Sequence, residues 1–104
     1  MTYKKQFNRK FKQSLDKSNS KNDFKKLTGI KRIILNKIFD RGVGAYRTNP
    51  QSVRPQVKSE EQWAYARIYS TIMNYYHYKK TGKIKGAFKY DKDLFEKYQP
   101  ELLK

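Results

Sequence analysis

Tyr3, Phe7, Phe11 and Leu15 recur every fourth residue near the N-terminus, with Lys4, Lys5, Arg9, Lys10 and Lys12 between them. On a helix this spacing forms one narrow apolar stripe flanked by cations. It has two readings: a basic arm that orders on nucleic acid, or a terminal helix that packs its rings on a core. The polar run Ser18 to Asn22 reads as a linker, which divides residues 1–22 from a single helical domain over residues 23–104. Asp23 to Leu27 predicts a short helix, broken at Thr28-Gly29. Ile30, Ile33, Ile34, Leu35, Ile38 and Phe39 then follow at helical spacing, opposite Lys31, Arg32 and Lys37, and predict a buried amphipathic helix. Helix, Thr-Gly turn, helix is also the outline of a helix-turn-helix, with Lys31 and Arg32 near the start of a recognition helix. The same outline is common in any helical domain.

The chain is most tightly specified between Arg41 and Ser70. Gly42 and Gly44 predict an exit from the preceding helix through positive φ, and Pro50 and Pro55 predict two further bends in a long loop from Tyr46 to Ser59. Ser59 and Gln62 form a Ser-x-x-Gln capping box with Glu60 and Glu61 in the first turn, a clear helix start. Along that helix Tyr65, Ile68, Tyr69, Ile72 and Tyr76 occupy one side, and Trp63, Ala66, Ser70 and Met73 an adjacent one. So wide an apolar arc marks the central core helix, and Gly82 is its predicted stop. Asp91 to Tyr98 predicts a C-terminal helix capped by an aspartate and ended before Pro100. The fold class expected is mainly α: a small helical domain with a central Trp/Tyr-rich helix and a long Pro-containing loop.

Composition changes the picture in one respect. The 104 residues carry 25 Lys+Arg against 9 Asp+Glu, a formal net charge of +16. That balance concerns partners rather than fold, and with 15% aromatic residues it favours a ligand that stacks as well as attracts. Lysine outnumbers arginine about three to one, and asparagine and isoleucine are plentiful, which fits AT-rich coding at least as well as selection for lysine. There is no cysteine, hence no disulfide framework, thiolate metal site or thiol nucleophile. The longest apolar run, Ile33 to Leu35, is too short to span a bilayer, and no apolar stretch follows the basic N-terminus as in a secretory signal.

Candidate chemistry is correspondingly sparse. Gly42-x-Gly44 lacks a preceding strand, a third glycine and a Gly-Lys-Ser/Thr, so it is no nucleotide fingerprint. Arg47 and Arg54 are the loop cations; an arginine fork suits a phosphate, and equally a carboxylate such as Glu60 or Glu61. Arg67, on a largely buried helix, is either half of an ion pair or a cation aimed at a ligand. Asp91, Asp93 and Glu96 are a thin basis for a divalent-ion site, and His77 has no second histidine or cysteine to share a metal. The nucleic-acid-binding candidates are thus Arg41, Arg47, Arg54, Lys58, Arg67, Lys79, Lys80, Lys83 and Lys85, with Tyr46, Trp63 and Tyr78 as stacking residues. No cofactor or metal is expected.

The motifs Arg-Gly-Val-Gly-Ala-Tyr at 41–46, Thr-Asn-Pro-Gln-Ser-Val-Arg-Pro at 48–55, Gln-Trp-Ala-x-Ala-Arg-Ile-Tyr-Ser at 62–70 and Asp-Lys-Asp-Leu at 91–94 occur in that order. Together they resemble a small domain found in proteins of tailed bacteriophages and large DNA viruses. The resemblance covers roughly residues 28–94 and leaves the N-terminal arm outside. It implies a viral origin and a helical domain but no mechanism, and a location in the virion or the host cytoplasm. The function expected is non-enzymatic binding of nucleic acid, DNA in the first instance, through phosphate contacts. The alternative is a minor virion component or a host-directed inhibitor whose basic face meets an acidic protein surface. A nuclease is disfavoured because no Ser-His, Cys-His or carboxylate set stands in a convincing context.

Overall fold

A computed structural model of the chain describes residues 1–48 and 59–104. Among them are five α-helices, a final 3-10 turn and no strand: α1 (Tyr3–Lys10), α2 (Lys21–Thr28), α3 (Arg32–Thr48), α4 (Glu60–Thr81), α5 (Phe88–Tyr98) and the turn Pro100–Leu103. The mainly α fold with a central Trp/Tyr-rich helix is as the hydrophobic pattern predicts. Most of the expected proline-bearing loop, with Pro50, Arg54, Pro55 and Lys58, falls outside the described residues.

α4 is the axis on which the other elements pack. Ala64, Ile68, Ile72 and Tyr75 are buried along it, and Ile34, Leu35 and Ile38 of α3 join them in one cluster with Phe7, Phe24, Phe88 and Phe95. Ser59 caps its start, its hydroxyl accepting from the backbone N–H of Gln62 at 3.0 Å, and Gly82 at φ +78° ends it. Phe7 of α1 lies against Tyr69 at 5.5 Å, and Phe11, the C-cap of α1, against Tyr76 at 6.3 Å, about two turns further along α4. The two helices therefore run side by side in the same direction, and Phe7 belongs to the shared core.

Three local expectations are corrected. Gly42 and Gly44 do not release the chain from α3, which continues to Thr48 with neither glycine at positive φ. Gly42 instead lets two helix backbones touch: a Cβ there would lie 2.8 Å from Ala64 Cα. The apolar stripe of α1 stops before Leu15, because the helix ends at Lys10 and Lys12 turns the chain at φ +56°. Leu15 is exposed. Ser18 to Asn22 is no open linker: Ser20 and Asp23 form a capping box for α2, while buried Asn19 donates its side-chain N–H to the Tyr69 hydroxyl at 2.9 Å. Buried Asn8 gathers the same segment, donating to the carbonyls of Leu15 and Lys17 at 3.0 Å each.

The turn between α2 and α3 is sealed from the C-terminal side. Buried Gln99 accepts from the Lys31 N–H at 2.9 Å and donates to the Gly29 carbonyl at 2.9 Å. The Lys31 ammonium reaches the Tyr98 carbonyl at 3.2 Å, and Arg32 donates to the Asn22 side chain. Both cations that a recognition helix would offer to a groove are thus engaged within the protein. α5 begins at Phe88, without a side-chain cap, so Asp91 stands inside the helix rather than at its cap.

Candidate nucleic-acid interface

Three of the predicted clamp arginines pair with carboxylates of this chain, two of them around a buried aspartate and one at the surface. Asp91 of α5 is fully buried and accepts from Arg67 at 2.7 and 3.1 Å, from the Thr71 hydroxyl at 2.8 Å and from Arg41 at 3.3 Å. Arg41 also forks onto Asp93 at 2.7 and 2.8 Å and donates to the Tyr90 carbonyl at 2.9 Å. One buried carboxylate thereby ties α3, α4 and α5 together, with every strong acceptor direction met, which is what a buried charge requires. Arg47 makes a second fork, onto Glu60 at 2.7 and 2.9 Å, that joins the end of α3 to the start of α4. The hydrogen bonds from Arg41 hold the Asp93 carboxyl below its ordinary range, and those from Arg47 do the same for Glu60.

Arg67 and Arg41 are therefore held around a buried carboxylate, and Arg47 in an exposed pair with Glu60, rather than converging as one clamp. The ligand that each fork fits is a carboxylate of this chain. The same pairs fill the Asp91 and Asp93 oxygens, and no group of metal-ligating side chains occurs among the described residues. Arg54 and Lys58 lie outside the described residues.

Lysine behaves differently. Lys80 in the last turn of α4, and Lys83 and Lys85 between α4 and α5, are exposed and meet no carboxylate among the described residues; Lys5 of α1 does likewise. Lys79 donates to the Lys104 carbonyl, and Lys10 lies 4.5 Å over the Tyr76 ring. The turn that carries Lys83 and Lys85 is held against α4 at Gly86, at φ +62°, where a Cβ would lie 2.3 Å from the Asn74 amide nitrogen. The free cations thus stand on a fixed frame.

Nearer the start of α4 is a cleft of about 270 Å³ lined by Tyr3 of α1, Trp63, Ala66, Arg67 and Ser70 of α4, Ala87, and Tyr90 of α5. Tyr90 is 66% exposed and Tyr3 36%, high values for rings of that size. The Trp63 indole N–H is buried and finds no acceptor among the described residues. A wider, more polar hollow of about 1050 Å³ adjoins it, sharing Tyr3 and Ala66 and carrying Lys4 and Lys85 on its walls.

A family model matches residues 1–95, nearly the whole length. The chain belongs to the family of unknown function DUF5824. No curated protein and no solved structure matches it. The family's extent includes α1 and the loop after it, which the motif resemblance leaves outside the shared domain. That extent agrees with the packing, since Phe7 is as buried as any residue of α3 or α4.

Within this DUF5824 domain, the stacking candidates separate. Trp63 lines the cleft; Tyr46 is half-buried on α3; Tyr78 packs on Phe88 at 5.3 Å with Lys92 over its ring, and so belongs to the core edge. Tyr3 and Tyr90 are the cleft residues that pattern reading misses. The every-fourth-residue spacing places Tyr3 in a core stripe, and Tyr90 precedes the expected helix start. Its position two residues inside α5 follows only once that helix begins at Phe88.

Proposed function

We propose that this protein binds nucleic acid, DNA in the first instance, as a non-enzymatic partner through lysine–phosphate contacts. The supporting observation is the partition of its cations. The central arginines are matched by Asp91, Asp93 and Glu60, so the +16 net charge resides chiefly on lysines, several of them without a carboxylate among the described residues and standing at the end of α4, in the turn after it and on α1. A lysine ammonium is a compact point charge on a flexible stem, suited to a phosphate track and poor at reading base edges. Affinity with little sequence preference follows. For a chain of viral origin, as its motifs imply, such binding would condense, protect or help package a genome.

The test is fluorescence anisotropy of nuclease-treated protein with labelled duplex DNA, single-stranded DNA and RNA from roughly 0.05 to 0.2 M salt, where lysine–phosphate attraction weakens steeply. The logarithm of affinity should fall linearly with that of salt. Replacing Lys80, Lys83 and Lys85 by glutamine should lower the slope by up to about 0.9 for each duplex phosphate deprived of its lysine. Affinity unchanged by those substitutions, or absent for all three ligands, rejects the reading and points to an acidic protein surface as partner.

A further inference from the structure

We infer that the Tyr3–Trp63–Tyr90 cleft receives one unpaired base, so that the ligand is a single strand; this rests on the nucleic-acid reading above. The cleft is chemically distinct from the basic surface around it. Its one cation, Arg67, is already paired with buried Asp91, which leaves the walls close to neutral and mainly aromatic. A phosphate gains little there, whereas a flat heteroaromatic ring gains stacking on Trp63 and the two tyrosines. At about 270 Å³ the space falls below the ~300–1,000 Å³ of sites for drug-sized ligands, and suits a single ring system.

The cleft also carries a polar group for a base edge. The Ser70 hydroxyl lines the cleft and, while its oxygen accepts from the Asn74 amide at 3.3 Å, carries an O–H that can donate to a base. Charge complementarity fixes where the rest of the strand goes. Lys89 lies 5.9 Å from the Tyr90 ring, and Lys4 and Lys85 line the adjoining hollow, so phosphates on either side of a splayed base meet cations while the base itself meets none that is free. A duplex cannot use the cleft without extruding a base, which costs a few kcal/mol, and is left with the lysine contacts alone.

Trp63 is the only tryptophan, so its emission reports the cleft directly. Three ligands of equal length are compared by anisotropy and by tryptophan fluorescence: a single-stranded oligonucleotide, the same backbone without bases, and a duplex. The base-bearing strand should bind roughly tenfold or more tightly than the abasic one, the scale of a single stacked base, and should alone quench the emission strongly. Tyr90→Ala removes an exposed ring, so it should erase most of that advantage while leaving abasic and duplex affinity and the thermal melt unchanged; Tyr3→Ala serves as a second variant. Equal affinity for the base-bearing and abasic strands, or quenching by the abasic strand as strong as by the other, overturns the cleft assignment while the phosphate reading stands. Failure of all three ligands to bind rejects the phosphate reading, and the cleft assignment with it.

Discussion

Gly42 and Gly44 look alike in the sequence and are opposites in the fold. Both sit inside α3, where glycine costs about 0.5–1 kcal/mol relative to alanine. At Gly44 a Cβ would meet nothing within 4 Å, so Gly44→Ala should raise stability by roughly that amount. At Gly42 it would lie 2.8 Å from the Ala64 backbone, so Gly42→Ala must push α3 and α4 apart, and overpacking of this kind costs about 1–3 kcal/mol. Thermal melts of the two variants should shift in opposite directions; equal shifts would mean that the close approach of the helices is not needed. No pattern in the chain distinguishes the two positions, because the deciding neighbour is Ala64, far along the sequence on another helix. The arginines show the same limit. Arg41 and Arg67 have forks that suit phosphate and carboxylate alike, and only the placement of Asp91 decides between them.

At the scale of elements, what the chain states locally was legible and what it states through distant partners was not. The Ser59 start and Gly82 stop of α4, the break at Gly29 and the buried face of α3 follow from caps and periodicity alone. The Ser20 start of α2 carried its own signal, a Ser-x-x-Asp box, hidden in a run that reads as linker. α5 begins earlier than its Asp cap suggests because that aspartate is drawn inward by two arginines. The same pairing gives the α3–α5 contact a pH dependence. Arg41 lowers the Asp93 pKa from 3.8, so around and below that value the unfolded chain binds more protons than the folded one. The stability contributed by Asp93 is complete at neutral pH and is lost as pH falls through the lowered folded-state value. Asp93→Asn should therefore flatten the fall in stability measured by urea melts below pH 3.8, with Arg41 still anchored by Asp91. An unchanged acid slope would show that the Arg41 fork onto Asp93 does not couple the two helices.

For the molecule as a whole, the excess charge is in tension with the fold. The extents are 36 × 30 × 25 Å, only a few Debye lengths across at the roughly 10 Å that holds near 0.1 M salt, so cations on neighbouring elements repel one another. Self-repulsion of this kind destabilises the compact state and is relieved by salt or by a bound polyanion. A lysine that serves only the fold should cost stability when removed; a lysine that serves a ligand should cost affinity and, by lessening repulsion, leave the fold the same or firmer. Lys80, Lys83 and Lys85 stand exposed without a carboxylate among the described residues, which places them in the second class. Their triple replacement by glutamine should hold or raise the melting temperature near 0.02 M salt, shrink the rise in melting temperature that added salt gives the natural protein, and weaken nucleic-acid binding in the same buffer. Stability and affinity moving apart in that way would mark the charge as functional. If the two fall together, these lysines are part of the fold, and the excess of lysine is the imprint of AT-rich coding rather than of a ligand.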